Sequence, residues 1–250
     1  MQRLAAALFV LAASCATAPR PAPQVSGFDL DRSLPPDLRH YERADDEHPQ
    51  FDESVAVRRV RFTLHEEEIT VLIVVGQRSP QEARKALAEL IGGRALVRDE
   101  STRLGDEALV ATPPLPLAGE LGFIRSNIAI WITGRNATPS LVDLARDFDR
   151  LIEEAGPGSP PVVEYFGFAG EGSDIKAHTL RAVSLRMRDT ETPAEDLILR
   201  FPASTNHVVV SLGGRYAVLA ADPGEDRVRL YVVNRRLLTA SASFPIRVIE

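Results

Sequence analysis

With 250 residues, 44% of them hydrophobic, the chain carries enough apolar material for one large core or two modest ones, which excludes disorder throughout. Its 29 basic residues against 35 acidic ones leave a formal charge of −6, and no basic block stands anywhere along it. That balance argues against nucleic acid as a partner and against an anionic membrane surface held by electrostatics.

Residues 1–14 have the layout of a signal peptide: Arg3 is a short positive start, Leu4 to Leu11 form an apolar stretch, and Ala12, Ala13 and Ser14 are small. Cys15, the only cysteine, follows directly. This order resembles the lipobox of bacterial lipoproteins. Ser14 takes the last cleaved position, while Leu11 stands one place earlier than the family's most frequent leucine. The resemblance, confined to the first 15 residues, implies cleavage before Cys15, a diacylglyceryl thioether on its sulfur and acylation of the new amino group. It also implies a place in the bacterial cell envelope, with membrane contact through the lipid. Ala16 after the cysteine, instead of an inner-membrane-retaining Asp, favours the outer membrane facing the periplasm. Ordinary secretion with cleavage after Ala16-Thr17-Ala18 is an alternative, although Pro19 suits a signal peptidase poorly at that point. A cytosolic protein with an apolar start is a second. The apolar stretch falls short of the roughly 20 residues needed to span hydrocarbon.

From Cys15 to residue 50 the composition predicts a tether, with Pro19, Pro21 and Pro23 at its start, Pro35-Pro36 within it and a polar run from Arg43 to Gln50. Phe28 and Leu30 are the side chains able to dock part of it onto the body.

Residues 51–156 predict an α+β domain. Val55 to Leu64 and Ile69 to Val75 read as a hairpin around His65-Glu66-Glu67. Ser79, Pro80 and Glu82 then form the start of a helix, with Ala83, Ala86, Leu87, Leu90 and Ile91 as its apolar stripe and Gly92-Gly93 beyond its end. The pattern recurs from Leu121: two strands around Ser126-Asn127, then a helix opened by Thr138-Pro139 with Leu141, Leu144, Ala145, Phe148, Leu151 and Ile152 on one stripe. Two strand-strand-helix units, joined by weaker strand signals near Arg94 to Arg98 and Ala108 to Ala111, predict an antiparallel sheet with both helices on one face.

Gly156 to Pro161 continues neither helix nor sheet, so 157–172 is expected to be a linker. Residues 173–250 show short strand signals broken by turn residues, which predicts a small all-β, sandwich-like second domain.

Few motifs point to chemistry. His65-Glu66-Glu67-Glu68 has Ile69 where a zinc-protease helix needs its second histidine, and the five histidines are scattered, so no metal site is expected. The glycines of Gly167 to Gly172 do not form a dinucleotide fingerprint and read as loop. Asp222, Gly224 and Asp226 lack the terminal acidic ligand of a calcium loop and read as a hairpin turn. No cofactor is expected. Asp106 and Glu107 are a weak candidate acid and base pair, with a solvated turn as the plainer alternative. Trp131, the only tryptophan, alternates with Ile128, Ile130 and Ile132. If the isoleucines face the helices, Trp131 lies on the opposite sheet face, covered by the β-rich half or by a ligand or partner.

The expectation drawn together from these signals is a non-enzymatic, lipid-anchored envelope protein that binds another envelope protein or assists an assembly. A small-ligand-binding or sensor lipoprotein using the Trp131 face is the first alternative. A hydrolase using Asp106 and Glu107 is the second.

Overall fold

The computed structural model describes residues 25–112, 119–137 and 139–250, so the lipobox-like segment and Cys15 lie outside the described residues, as does Thr138 of the expected second helix opening; the helix itself follows Ser140. Among the described residues there are eighteen strands and two α-helices. The expected α+β fold with both helices on one sheet face is therefore corrected to a mostly β structure of several sheets, with its two helices on opposite faces of the largest one.

In chain order the first part comprises β1 (Val25–Ser26), a 3-10 turn (Pro36–His40), β2 (Glu42–Asp46), β3 (Gln50–Phe51), β4 (Val55–Leu64), β5 (Glu67–Gly76), α1 (Pro80–Leu90), β6 (Ala95–Arg98), β7 (Glu107–Thr112), β8 (Gly119–Arg125), β9 (Ile128–Arg135) and α2 (Leu141–Ala155). Its large sheet has the order β2-β4-β5-β9-β8-β7-β6, with β3 paired onto β4, and all neighbours are antiparallel. Alternation across that order makes β5 and β6 parallel to each other. The chain therefore crosses from the centre of the sheet to its edge through α1, and the handedness of such a crossover fixes the face on which α1 lies. β6 to β9 then return as a meander to the side of β5. α2 leaves from β9 and packs on the other face.

Strand side chains alternate between faces, and the two cores follow that alternation. Ile69, Val71 and Ile73 of β5 join Ile128, Ile130 and Ile132 of β9 beneath Leu144, Ala145, Phe148 and Ile152 of α2. Leu72, Val74, Ala129 and Trp131 instead meet Ala83 and Leu87 of α1. The start of α1 is fixed by a capping box in which the Ser79 hydroxyl accepts from the Glu82 N–H and the Glu82 carboxylate accepts from the Ser79 N–H.

The expected tether is corrected over its described part, because residues 25–51 are folded onto the body. Phe28, Leu30 and Leu38 are buried in the α2-side core, and Phe28 meets Phe148 edge to face at 5.9 Å. Arg58 clamps the same segment, donating to Asp46 at 2.7 Å and to Asp31 at 3.1 Å, while Arg43 donates to Asp31 at 2.6 Å.

The second part comprises β10 (Pro157–Gly158), β11 (Val162–Phe168), β12 (Asp174–Lys176), β13 (Leu180–Arg188), β14 (Ile198–Arg200), β15 (His207–Leu212), β16 (Arg215–Ala220), β17 (Gly224–Val233) and β18 (Thr239–Ile249), with a short 3-10 turn at Ala194–Asp196. Two four-stranded sheets, β11-β13-β16-β15 and β12-β18-β17-β14, enclose Phe168, Val218, Val228, Ile246 and Val248 between them. Two loop expectations are corrected here. The supposed linker 157–172 contributes β10, which pairs with β1, and β11, an edge strand holding Gly167 and Phe168. The Asp222-Pro223-Gly224 turn is not a hairpin, because β16 and β17 belong to different sheets.

The two parts share a core. Val233, Leu237 and Leu238 pack with the buried residues of the α2 side, and β1 pairs with β10. Buried Arg236 donates to the carbonyls of Gly27 (3.0 Å), Ala155 (3.1 Å) and Gly156 (2.6 Å). Gln77 donates to Leu237 O at 3.0 Å and accepts from Thr239 N at 2.8 Å.

Candidate functional site

Helix α1 has 11 residues, about 16 Å of helix, whereas the ten-residue strands beneath it run about 33 Å. It covers only half of its sheet face. The sequence follows this division along each strand: Val57 gives way to Arg59 and Arg61 on β4, Val74 and Leu72 to Thr70 and Glu68 on β5, and Ala129 and Trp131 to Thr133 on β9. The uncovered half is a cleft of about 570 Å³, floored by Leu72, Thr70, Trp131 and Thr133 and walled on one side by Leu90 and Ile91 at the end of α1.

Trp131 is nearly buried, 3% exposed, in the cleft floor. It faces α1, so its cover is that helix and not the β-rich half of the chain. Its ring lies over Gly122 of β8, where a Cβ would come within 2.3 Å of the indole, so only glycine leaves room for it there. Arg59 and Arg61 stand half-exposed on the opposite wall, 3.5 Å from Glu47 and 3.7 Å from Asp45 respectively. Pairs this long and this exposed are weak, which leaves both guanidiniums available to a ligand. Arg94 differs: two 2.7 Å bonds tie it to the buried carboxylate of Glu120 and hold its guanidinium still more firmly in the charged form.

Asp106 and Glu107 do not form a pair. Asp106 accepts from the Ser126 N–H at 2.5 Å and lies 3.6 Å from Arg125, whereas both oxygens of Glu107 accept from Arg84 of α1 at 2.6 Å. Neighbours at the start of a strand point to opposite faces, so one carboxylate fastens the β8–β9 turn and the other fastens α1. His65 sits in the β4–β5 turn at φ 55°, apart from any ligand set. Among the described residues no group of three His, Cys, Asp or Glu side chains is placed to hold a metal ion, and no helix is long and apolar enough to cross a membrane.

One constellation was not anticipated from sequence. Ser204 Oγ lies 2.8 Å from His207 Nδ1 and donates to Asp226 Oδ2 at 2.5 Å, and that carboxylate is 3.0 Å from the same Nδ1. A nucleophilic triad needs the acid and the serine on opposite ring nitrogens. Here both share Nδ1, and Nε2 is buried without a hydrogen-bond partner among the described residues, so the set fastens a turn and does not activate the hydroxyl. Burial pushes the Asp226 carboxyl up, but hydrogen bonds from Ser204, the Arg227 N–H and His207 outweigh it and hold the group below its ordinary range.

Among the described residues the outer face of the sheet β11-β13-β16-β15 is exposed, apolar at one end and polar toward Ser184, Arg186 and Arg188 of β13. Leu180 faces Leu219 across β13 and β16 and Leu219 faces Val208 across β16 and β15, while Leu212 stands on the same face further along β15, past Val210 and opposite Arg215. Leu180 and Leu212 are each 54% exposed, Val208 43% and Leu219 38%. On β13 the alternation of Ser184, Arg186 and Arg188 with Val183, Leu185 and Met187 separates this face from the sandwich interior, but on β15 it misleads, because the outward set Val208, Val210 and Leu212 is more apolar than His207, Val209 and Ser211.

No family model matches the sequence, and neither does any curated protein.

Proposed function

We propose that the protein is a lipid-anchored component of the bacterial envelope that acts without chemistry of its own, binding another envelope protein as an assembly accessory. The observation that carries this reading is the bare apolar row Leu180, Leu219 and Val208, with Leu212 further along β15, since large exposed side chains contiguous over three strands mark an interaction surface. The partner of such a face has an apolar patch of its own. Crosslinking in the native membrane tests it: Leu180→Asp with Leu219→Asp removes the crosslinked partner and keeps the melting temperature. Retention of the partner by the folded double variant overturns the reading. The anchor is tested separately, because serine cannot form the thioether: Cys15→Ser abolishes incorporation of labelled palmitate.

The cleft supports a second reading, a small-ligand or sensor lipoprotein. Its volume falls within the roughly 300–1,000 Å³ usual for ligand sites, and it offers Trp131 and Leu72 beside two loosely paired arginines. Trp131 is the only tryptophan, so ligand entry shifts the whole tryptophan emission of the protein. An unchanged spectrum with a ligand shown to bind places that ligand elsewhere.

A further inference from the structure

The sheet edges differ in how they are protected. β2 carries Glu42, Arg43, Asp45 and Asp46, β11 has a register shift between Val163 and Tyr165, and β6, β12 and β14 are only three or four residues long. Charge, irregularity and shortness are the ordinary means of keeping one edge from pairing with another. β15 has none of them. Its six residues, His-Val-Val-Val-Ser-Leu, contain no formally charged side chain, proline or glycine, and pair with β16 in unbroken register from His207↔Ala220 to Leu212↔Arg215. No described strand lies on its other side.

The phase of the ladder shows which groups are open. Ala221 N–H donates to Asn206 O at 2.8 Å, so Val208, Val210 and Leu212 bond to β16 by alternation, and His207, Val209 and Ser211 turn their backbone groups the other way. The Ser204 turn occupies the first of these: Ser204 N–H donates to His207 O and His207 N–H to Ser204 Oγ, both at 3.1 Å. The N–H and C=O of Val209 and Ser211 are left facing outward.

We infer that β15 pairs antiparallel with β15 of a second copy about a two-fold axis at Val210. In that register Val209 and Ser211 exchange both bonds with Ser211 and Val209 of the other copy. On the outer face Val210 meets its own equivalent and each Val208 meets a Leu212, so the cross-strand contacts on that face are apolar, while on the other face Val209 meets Ser211. The turn at Ser204 comes opposite Gly213-Gly214, where there is open space and no side chain to obstruct it. Charge is complementary as well: Asp222 and Asp226 lie at the His207 end of the strand and Arg215 at the Leu212 end, and antiparallel pairing sets one end against the other. A six-residue strand spans about 20 Å, a smaller contact than the roughly 800 Å² per partner of a standard interface, so the dimer is weak and concentration-dependent. The product is a continuous eight-stranded sheet whose outer apolar rows join. The pairing concerns the strand edge and does not depend on a partner occupying the outer face.

Cysteine trapping in the full chain bearing Cys15→Ser tests the register. Val210→Cys gives a disulfide-linked dimer on mild oxidation, whereas Val208→Cys and Leu212→Cys each alone do not, and the two mixed crosslink to one another. Sedimentation of the Cys15→Ser chain shows a dimer fraction rising with concentration. Ser211→Pro, which deletes an outward N–H at an edge position where proline is tolerated, lowers that fraction with little change in melting temperature; if it fails to fold, Val210→Lys tests the same point by setting like charges across the axis. Leu180→Asp, two strands away, leaves the dimer intact, so loss of the outer-face partner and loss of the dimer are read separately. Equal crosslinking by all three single cysteines, or a monomer at every concentration, overturns the inference.

Discussion

The two faces of the large sheet are built from the same strands and behave in opposite ways. On one, α2, the folded segment from Val25 to Phe51 and the Val233 to Leu238 region seal a row of isoleucines from solvent. On the other, α1 covers half and leaves the rest as a cleft lined by arginines, threonines and Trp131. The difference is written at every second residue of β4, β5 and β9. Stability is concentrated on the sealed face, and freedom to bind on the other.

The strongest test of that division is on the sealed face. Phe148→Ala removes a fully buried ring from between Phe28 and the sheet, and lowers unfolding stability by about 3–5 kcal/mol in chemical denaturation. A loss below about 1 kcal/mol means that the α2 core does not hold the fold.

Next in size is the join between the two halves. Arg236→Met leaves the carbonyls of Gly27, Ala155 and Gly156 without their buried donor, at a cost of about 2–4 kcal/mol. Limited proteolysis between Ala155 and Pro161, resisted by the parent protein, then becomes fast. Unfolding of the parent in two separate transitions contradicts the shared core.

How much of this was legible in the sequence depends on the range of the forces involved. The capping box at Ser79 and the stripe through Ala83 and Leu87 are local, and the structure has them where the spacing put them. Placing both helices on one face went wrong because a stripe tells which side of a helix is buried but not which face of the sheet buries it. That is decided by the path of α1 from central β5 to edge strand β6, a non-local fact. Phe28 and Leu30 stand out among prolines and charges as side chains able to dock, and contact with α2 and the sheet makes them core. Asp106 and Glu107 are adjacent in sequence but are drawn apart by Ser126 and Arg84, whereas Ser204, His207 and Asp226 are brought together by the packing of two sheets.

Acid separates the faces more gently. Burial pushes the Asp31 carboxyl up, but hydrogen bonds and charge from Arg58 and Arg43 outweigh it, so its folded pKa lies below the unfolded value of about 3.9. A depressed carboxyl stabilises the fold fully above the unfolded pKa and loses that contribution as pH falls through the folded one. The denaturation midpoint therefore drops below about pH 4, and the Val25 to Asp46 segment, clamped by this network, becomes the first acid-sensitive part of the sealed face. Asp31→Asn makes the acid limb shallower. An unchanged limb in that variant assigns the acid sensitivity to other carboxylates, Asp52 and Asp226 among them, whose hydrogen bonds also hold them low against the effect of burial.

The smallest expected effect is on the cleft floor, and there its smallness is informative. Thr133 and Ile132 are neighbours on β9 that face opposite ways, the first into the cleft and the second into the sealed core. Ile132→Ala costs about 2–5 kcal/mol through the cavity it leaves. Thr133→Ala and Arg59→Ala cost about 0.5 kcal/mol or less, because no cavity forms and the Arg59 to Glu47 pair at 3.5 Å is loose and half-exposed. Parallel chemical denaturation of the three variants measures the contrast directly. If Thr133→Ala approaches Ile132→Ala in cost, the cleft is closed in solution and its lining belongs to the core. If the costs differ as expected, the polar half of this face contributes little to holding the fold, and the arginines and threonines along it are free to be selected for what they bind.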